Sequence, residues 1–177
     1  MKQQIIVSGL GGQGAVTLTR LLGEAALSMG FPVITSETHG MAQRGGTVVS
    51  MVKVGPFRGP MIPAGAADVG LFLHAGNLAV HGLYLKAGAL VVVNSRAPGP
   101  YKAVDAQGLA AREGLPPVSA NLVLLGFALG LGELFCSPEI TEKVLVRLTP
   151  PRFLEESLTA WRAGLAAGVG LAGKPTA

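Results

Sequence analysis

The sequence predicts one α/β domain, a three-layer α/β/α arrangement built on a mostly parallel sheet. Three observations carry that expectation. At 177 residues the chain is long enough for one domain with a substantial core and too short for two comfortable ones. Its first half holds several short, near-continuous apolar runs of strand type, and the pattern turns helical after Arg96. The opening unit reads strand, glycine loop, helix, strand, the order that lays helices against a parallel sheet.

The elements follow in order. "QQIIVSG" reads as a short buried strand, and a glycine loop follows it. "AVTLTRLLGEAALSMG" places Val16, Leu18, Leu21, Leu22, Ala25, Ala26 and Met29 at helical spacing and stops at Gly30. "FPVITSE" is a second strand, and the alternating, β-branched stretch from Thr47 to Val54 a third. "GPFRGPMIPAG" is rich in proline and glycine and must be a loop. "ADVGLFL" and "GALVVVNS" are two further buried strands around a short helix or turn, "HAGNLAVHGLYLKA". From about residue 105 the chain reads as helices: "DAQGLAAREG", then the apolar "NLVLLGFALGLGELF" with Asn121 as its N-cap. "SPEITEKVLVRL" follows, with Ser137 at the N-cap, Pro138 in the first helical position and Glu139 in the first turn. An amphipathic helix from "PPRFLEESLTAW" onward closes the fold and buries Trp161 in the core or an interface, leaving residues 169–177 as a frayed tail. No repeat or linker divides residues 1–177.

Composition narrows the function. Apolar residues make up 49% of the chain and charged ones 14%, with a mean hydropathy of +0.49. That balance fits either a membrane protein or a soluble subunit covered by a partner. The most apolar uncharged stretch, Leu115 to Gly132, contains prolines, Ser119, Asn121 and several glycines, so it reads as a loop feeding a buried helix, not a bilayer span. The apolar run at the start is too short for a signal peptide, and the expected location is cytoplasmic. Cys136, read as a small buried residue beside Phe135, is the single cysteine, so no internal disulfide forms and no thiolate set for an iron–sulfur cluster exists. No metal site is expected; His74 and His81 lack a third ligand at useful spacing. The formal charge is +4, and between Glu37 and Asp105 the only acid is Asp68, against Arg44, Lys53, Arg58, Lys86, Arg96 and Lys102. Such a segment suits an anionic ligand or an acidic partner. Nothing resembles a nucleic-acid motif.

In a parallel sheet, ligands bind at the carboxyl ends of the strands. Here those ends carry Gly9–Gly14, Glu37–Gly46 and Asn94–Arg96. Gly9, Gly11 and Gly14 satisfy G-x-G-x-x-G, and Glu37 stands near the place where a dinucleotide fold keeps an acid for the ribose hydroxyls. A stand-alone nicotinamide-dependent reductase therefore remains one reading of the Rossmann-like start. The second loop, "SETHGMAQRGGTVVS", is more unusual. Arg44 brings a planar fork before Gly45 and Gly46, which permit close approach of backbone and ligand, while Thr38, His39 and Gln43 add donors. Arg44 is equally suited to capping a loop carbonyl or pairing with Glu37.

The stretches "GLGGQGAVTLTRLLGEAAL" and "ETHGMAQRGGTVVS" together resemble the gamma domain of 2-oxoacid:ferredoxin oxidoreductases, and within that family the small subunit of the indolepyruvate enzymes. The likeness continues through "MIPAGAADVGLFL", "YLKAGALVVVNSR" and "NLVLLGFALGLG". The chain departs from the family's pattern at Met51 and Lys53 in the third strand and at His74–Asn77 after the fourth. The resemblance implies oxidative decarboxylation of a 2-oxoacid with ferredoxin as electron acceptor, yielding an acyl-coenzyme A. It implies thiamine diphosphate and iron–sulfur clusters on a larger partner subunit, because this chain has no Gly-Asp pair to open a thiamine motif. The chain is then inactive alone and helps to form the coenzyme A cleft. Gly11, Gly12, Gln13 and Gly14 would contact a phosphate or pantetheine, Arg44, Gly45 and Gly46 a phosphate, with Thr38, His39 and Gln43 nearby. No residue is assigned a catalytic role. A non-catalytic assembly module is the third reading.

Overall fold

The computed structural model describes residues 1–37 and 45–173. Six strands form one sheet: β1 (Gln3–Leu10), β2 (Val33–Glu37), β3 (Thr47–Val54), β4 (Ala67–Phe72), β5 (Leu85–Asn94) and β6 (Lys102–Val104), in the spatial order β2-β3-β1-β4-β5-β6. The pairs β1/β4, β4/β5 and β5/β6 are parallel. Strand β3 runs antiparallel to both of its neighbours, β1 and β2. The connection from Glu37 to Thr47 is too short for the helical crossover that a parallel pair requires, so the chain doubles back.

The helices are α1 (Ala15–Ser28), α2 (Leu78–His81), α3 (Ala106–Arg112), α4 (Ala120–Gly130), α5 (Pro138–Leu148) and α6 (Pro151–Ala172). Helices lie on both sides of the sheet, thickly on one and sparsely on the other. Alternate residues sort the faces, as the period of a strand requires. Ile5 and Val7, Val52 and Val54, Val69 and Leu71, and Leu90 and Val92 join the large core beneath α1 and α3 to α6. Ile6, Met51, Phe72 and Val93 face the other way, under Ile62 and the short helical segment that brings Leu78 and Tyr84. No helix of the described residues is long and apolar enough to cross a membrane.

The pairing of α4 and α6 explains the most apolar stretch. Residues 120–129 are all buried. Gly126 and Gly130 on α4 meet Gly164 and Gly168 on α6, where an added Cβ would strike the opposing backbone at every position. Glycine costs helix propensity, but here it lets two helices approach backbone to backbone. Trp161 is buried in the same core.

Three expectations need correction. A sixth strand exists after Arg96, because Lys102–Val104 finds Val92–Asn94 alongside, a tertiary pairing that three residues cannot announce. Asn121 is not an N-cap: Ser119 holds that position, after a 3₁₀ turn over Pro117–Ser119, and Asn121 lies inside the first turn of α4. The last helix does not fray at residue 169 but continues to Ala172, carried by the seam at Gly168; residues 174–177 lie outside the described residues. Within the basic segment, three cations are engaged inside the protein. Lys53 is buried, donates to the Met61 carbonyl (2.8 Å) and sits over the Phe57 ring, while Lys86 and Arg96 pair with Asp68 and Asp105.

Candidate functional site

The carboxyl ends of β1 and β3 bring two of the glycine stretches together. The amide of Gly11 donates to the carbonyl of Gly46 (3.0 Å), so the first turn is tied to the residue that opens β3. Gly45 has φ 69° and Gly12 φ 90°, and an added Cβ at either would meet no atom of the described residues within 4 Å. Both therefore offer bare backbone to whatever approaches. Gln13 does not present its amide oxygen outward. It closes the turn on itself, its Oε1 accepting from Leu10 N (2.7 Å) while its own N donates to the Leu10 carbonyl (3.1 Å). Gly14, at φ 85°, stands at the N-cap of α1.

The start of α1 is bare in a second sense. No side chain caps it, and its first turn carries no acid. Helical bonding begins with Leu18 N to the Gly14 carbonyl (3.3 Å), so the preceding first-turn amides have no acceptor within the helix. Such an end carries partial positive charge and unspent donors, the requirements for holding an anion. Beside it lies a cavity of about 160 Å³ whose lining sets the carboxamide residues Gln13, Asn94, Gln107 and Asn121 among Gly12, Leu73, Pro117, Val118 and Ala120, with no charged side chain among the described residues. Asn121 lies so close that a Cβ on Gly14 would fall 2.2 Å from its Nδ2. Asn94 binds the ends of two strands to α3, donating to the Leu73 carbonyl (3.2 Å) and accepting from Ala106 N (3.0 Å).

Under the turn lies a polar cluster absent from the sequence expectations. The Oγ of fully buried Ser8 is 2.7 Å from His81 Nδ1 and accepts from Asn77 Nδ2 (3.0 Å). Asn77 Nδ2 also donates to the Gly9 carbonyl (2.7 Å). Burial pushes the His81 imidazolium towards its neutral form. His81 thus belongs to this network, while His74 is exposed.

Of the residues expected at the site, Gly11, Gly12, Gln13, Gly14, Gly45 and Gly46 gather around one rim. Thr38, His39, Gln43 and Arg44 lie outside the described residues. Ser8, Asn77, His81, Asn94 and Gln107 were not singled out as site residues. Asn94 stands at the end of a strand and Asn77 in a departure from the family's pattern, both usable signals; Ser8, 69 residues from Asn77, offers none.

The topology bears directly on the nicotinamide alternative. A dinucleotide fold sets the second strand next to the first, which brings the acid at its end to the ribose. Here β3 intervenes, so Glu37 stands one strand further from the glycine turn, an extra separation of about 4.8 Å. The bond from Gly11 to Gly46 closes the same side of the turn. The spacing of the glycines survives without the geometry it usually announces.

Residues 4–167 match the family model described as pyruvate ferredoxin/flavodoxin oxidoreductase. The chain belongs to that family. Among curated relatives, the indolepyruvate oxidoreductase subunit IorB of Thermococcus kodakarensis is 33% identical across 92% of this chain and 94% of that protein. The subunit of the same name from Archaeoglobus fulgidus is 44% identical over 96 residues, 54% of this chain, and that match spans 48% of the relative. Among solved structures, the keto/oxoacid ferredoxin oxidoreductase gamma subunit of Geobacter sulfurreducens superposes with a TM-score of 0.78 at 26% identity, covering 95% of this chain and 99% of that one. The 2-oxoglutarate:ferredoxin oxidoreductase of Magnetococcus marinus, described with 2-oxoglutarate, coenzyme A and succinyl-CoA bound, shares the fold. It has a TM-score of 0.78 at 20% identity, with 98% of this chain matching 32% of that one. Relatives in this family are thus subunits or portions of 2-oxoacid oxidoreductase complexes. The expected resemblance and fold class both stand.

Proposed function

We propose that this family member is the small subunit of an indolepyruvate-type 2-oxoacid:ferredoxin oxidoreductase, and that its two glycine turns form one wall of the coenzyme A cleft. The observation that supports this best is the uncapped, acid-free start of α1, set beside the bare backbone of Gly12 and joined to Gly46. That rim supplies donors to an anionic group and room for its approach. Arg44, next to Gly45 in sequence, adds a fixed charge for a phosphate. Thr38, His39 and Gln43 are proposed as supporting donors. The mixed amide and apolar lining of the cavity suits the uncharged portion of the same ligand. The relatives' names supply the substrate class.

Thiamine diphosphate and iron–sulfur clusters, in this reading, belong to the larger subunit and supply carbanion stabilisation and one-electron transfer. This chain's residues do not fit a cluster. Cys136 is buried, desolvation pushes its thiol up, and its Sγ is 3.5 Å from the Thr141 hydroxyl. What the chain does is bind, orient and exclude water. Exposed Val16, Val118 and Phe153 around an apolar groove beside the cavity suit a protein neighbour.

The test is coenzyme A binding by the assembled complex. Arg44→Ala and Gly12→Asp should each weaken it, Arg44→Ala by about 10- to 150-fold if one charge-assisted phosphate contact of about 1.5–3 kcal/mol is lost. Unchanged affinity in both, with assembly intact, would refute the ligand role and leave an assembly module. Tight, saturable binding of reduced nicotinamide cofactor by the isolated chain would favour the reductase.

A further inference from the structure

We infer that Asn77, backed by His81 through Ser8, is a positioning residue that sets the conformation of the glycine turn and thereby its affinity for coenzyme A. This rests on the reading of the turn given above. Asn77 occupies the N-cap position of α2, yet its side chain makes no capping hydrogen bond. It is buried and turned the other way, into the end of β1. A carboxamide nitrogen has two protons. Both have acceptors here: the Oγ of Ser8 and the carbonyl of Gly9.

The direction of each bond follows from that. Ser8 Oγ accepts from Asn77, and among the described residues His81 Nδ1 is the acceptor within reach of its own proton, which favours the neutral ring protonated on Nε2. Protonating Nδ1 would set two donors against Ser8 Oγ and strand the hydroxyl proton. The low-dielectric surroundings of His81 favour the same neutral state.

Tightness above the clamp carries its effect to the rim. A Cβ on Gly9 would lie 2.9 Å from Gln13 Oε1 and 3.1 Å from Leu73 Cβ, so the Gly9 peptide has no slack. Leu10 N is held by Gln13 Oε1, and Gly11 N by Gly46 O. The turn is therefore fixed from two sides, by β3 through Gly46 and by Asn77 through Gly9. Neither Asn77 nor His81 lines the cavity at the rim, so each acts through the turn and not by touching ligand.

The experiment uses the assembled oxidoreductase complex carrying variants of this chain. Its readouts are the coenzyme A dissociation constant by calorimetry, the coenzyme A-induced shift in melting temperature, and kcat at saturating coenzyme A. Asn77→Leu should weaken coenzyme A binding about five- to tenfold, with kcat at saturation changed less than twofold. His81 is only half-buried, so His81→Leu provides a folded second probe and should weaken binding about threefold. His81→Asn, which restores an acceptor near the place of Nδ1, should recover most of that loss. Affinities within twofold of the parent for both Asn77→Leu and His81→Leu, while Gly12→Asp still weakens binding, would overturn the positioning role and leave the turn as the site. If Gly12→Asp is also without effect, the coenzyme A reading fails and this inference with it.

Discussion

A methyl group added to Gly164 tests the packing that underlies the site. The Cβ of Gly164→Ala would lie 1.9 Å from the Val123 carbonyl oxygen and 2.7 Å from its carbon, whereas ordinary contact is 3.4–4 Å. The shortfall of about 1.5 Å is against helix backbone, so no rotamer change relieves it, and α6 must move off α4. Overpacking of this kind costs about 3 kcal/mol at the upper end of its range, and the better helix propensity of alanine returns about 1 kcal/mol. The net loss of about 2 kcal/mol corresponds to a fall in Tm of about 4–8 °C for a domain of this length. Gly170→Ala is the internal control. It lies on the same helix with no atom of the described residues within 4 Å of the added Cβ, so it should raise Tm by about 2–4 °C. Thermal melts followed by far-UV circular dichroism read both. A Gly164→Ala protein that melts at or above the Gly170→Ala protein would refute the close approach of α4 and α6.

Two further predictions are independent of coenzyme A. His81 has its pKa lowered by burial, so between that value and the ordinary one, about 6.5, the unfolded chain binds more protons than the folded one. The contribution is therefore complete above about pH 6.5 and lost as pH falls through the folded value; Tm measured from pH 7.5 to 5 should fall less steeply in His81→Asn than in the parent, and equal slopes would contradict it. Cys136 is buried with its thiol pushed up, so a thiol reagent at pH 8 should react only as fast as the protein opens, with stoichiometric labelling in denaturant. Rapid labelling of the native protein would place the thiol at the surface.

Much of the fold was legible because it was written in local periodicity. Thr47–Val54 coincides with its β-branched alternation, and α1 with the spacing of Leu18, Leu21, Leu22 and Ala25. Direction was not legible: an apolar strand reads alike whether its neighbour runs with it or against it, so the placement of β3 between β1 and β2 emerged only in three dimensions. That placement is what moved Glu37 away from the first glycine turn. The glycines of the site were legible because bare backbone is their whole contribution. The cluster beneath them was not, since Ser8 meets partners 69 and 73 residues away and none belongs to a spaced motif. Asn121 misled because an asparagine before an apolar run is a good cap in isolation, and the 3₁₀ turn at Pro117–Ser119 moved the helix start upstream of it.

The reversal of β3 has an architectural consequence. Strand β2 is the outermost strand and is hydrogen-bonded only to β3. The two form a hairpin whose base is welded to the sheet along the full length of β1. The end of β2 and the beginning of β3 are thus carried to the same edge as the first glycine turn, which the bond from Gly11 to Gly46 fastens to β3. A displacement at the start of β3 is therefore transmitted at once to the neighbouring strand and to the loop above it, with no intervening helix to absorb the strain.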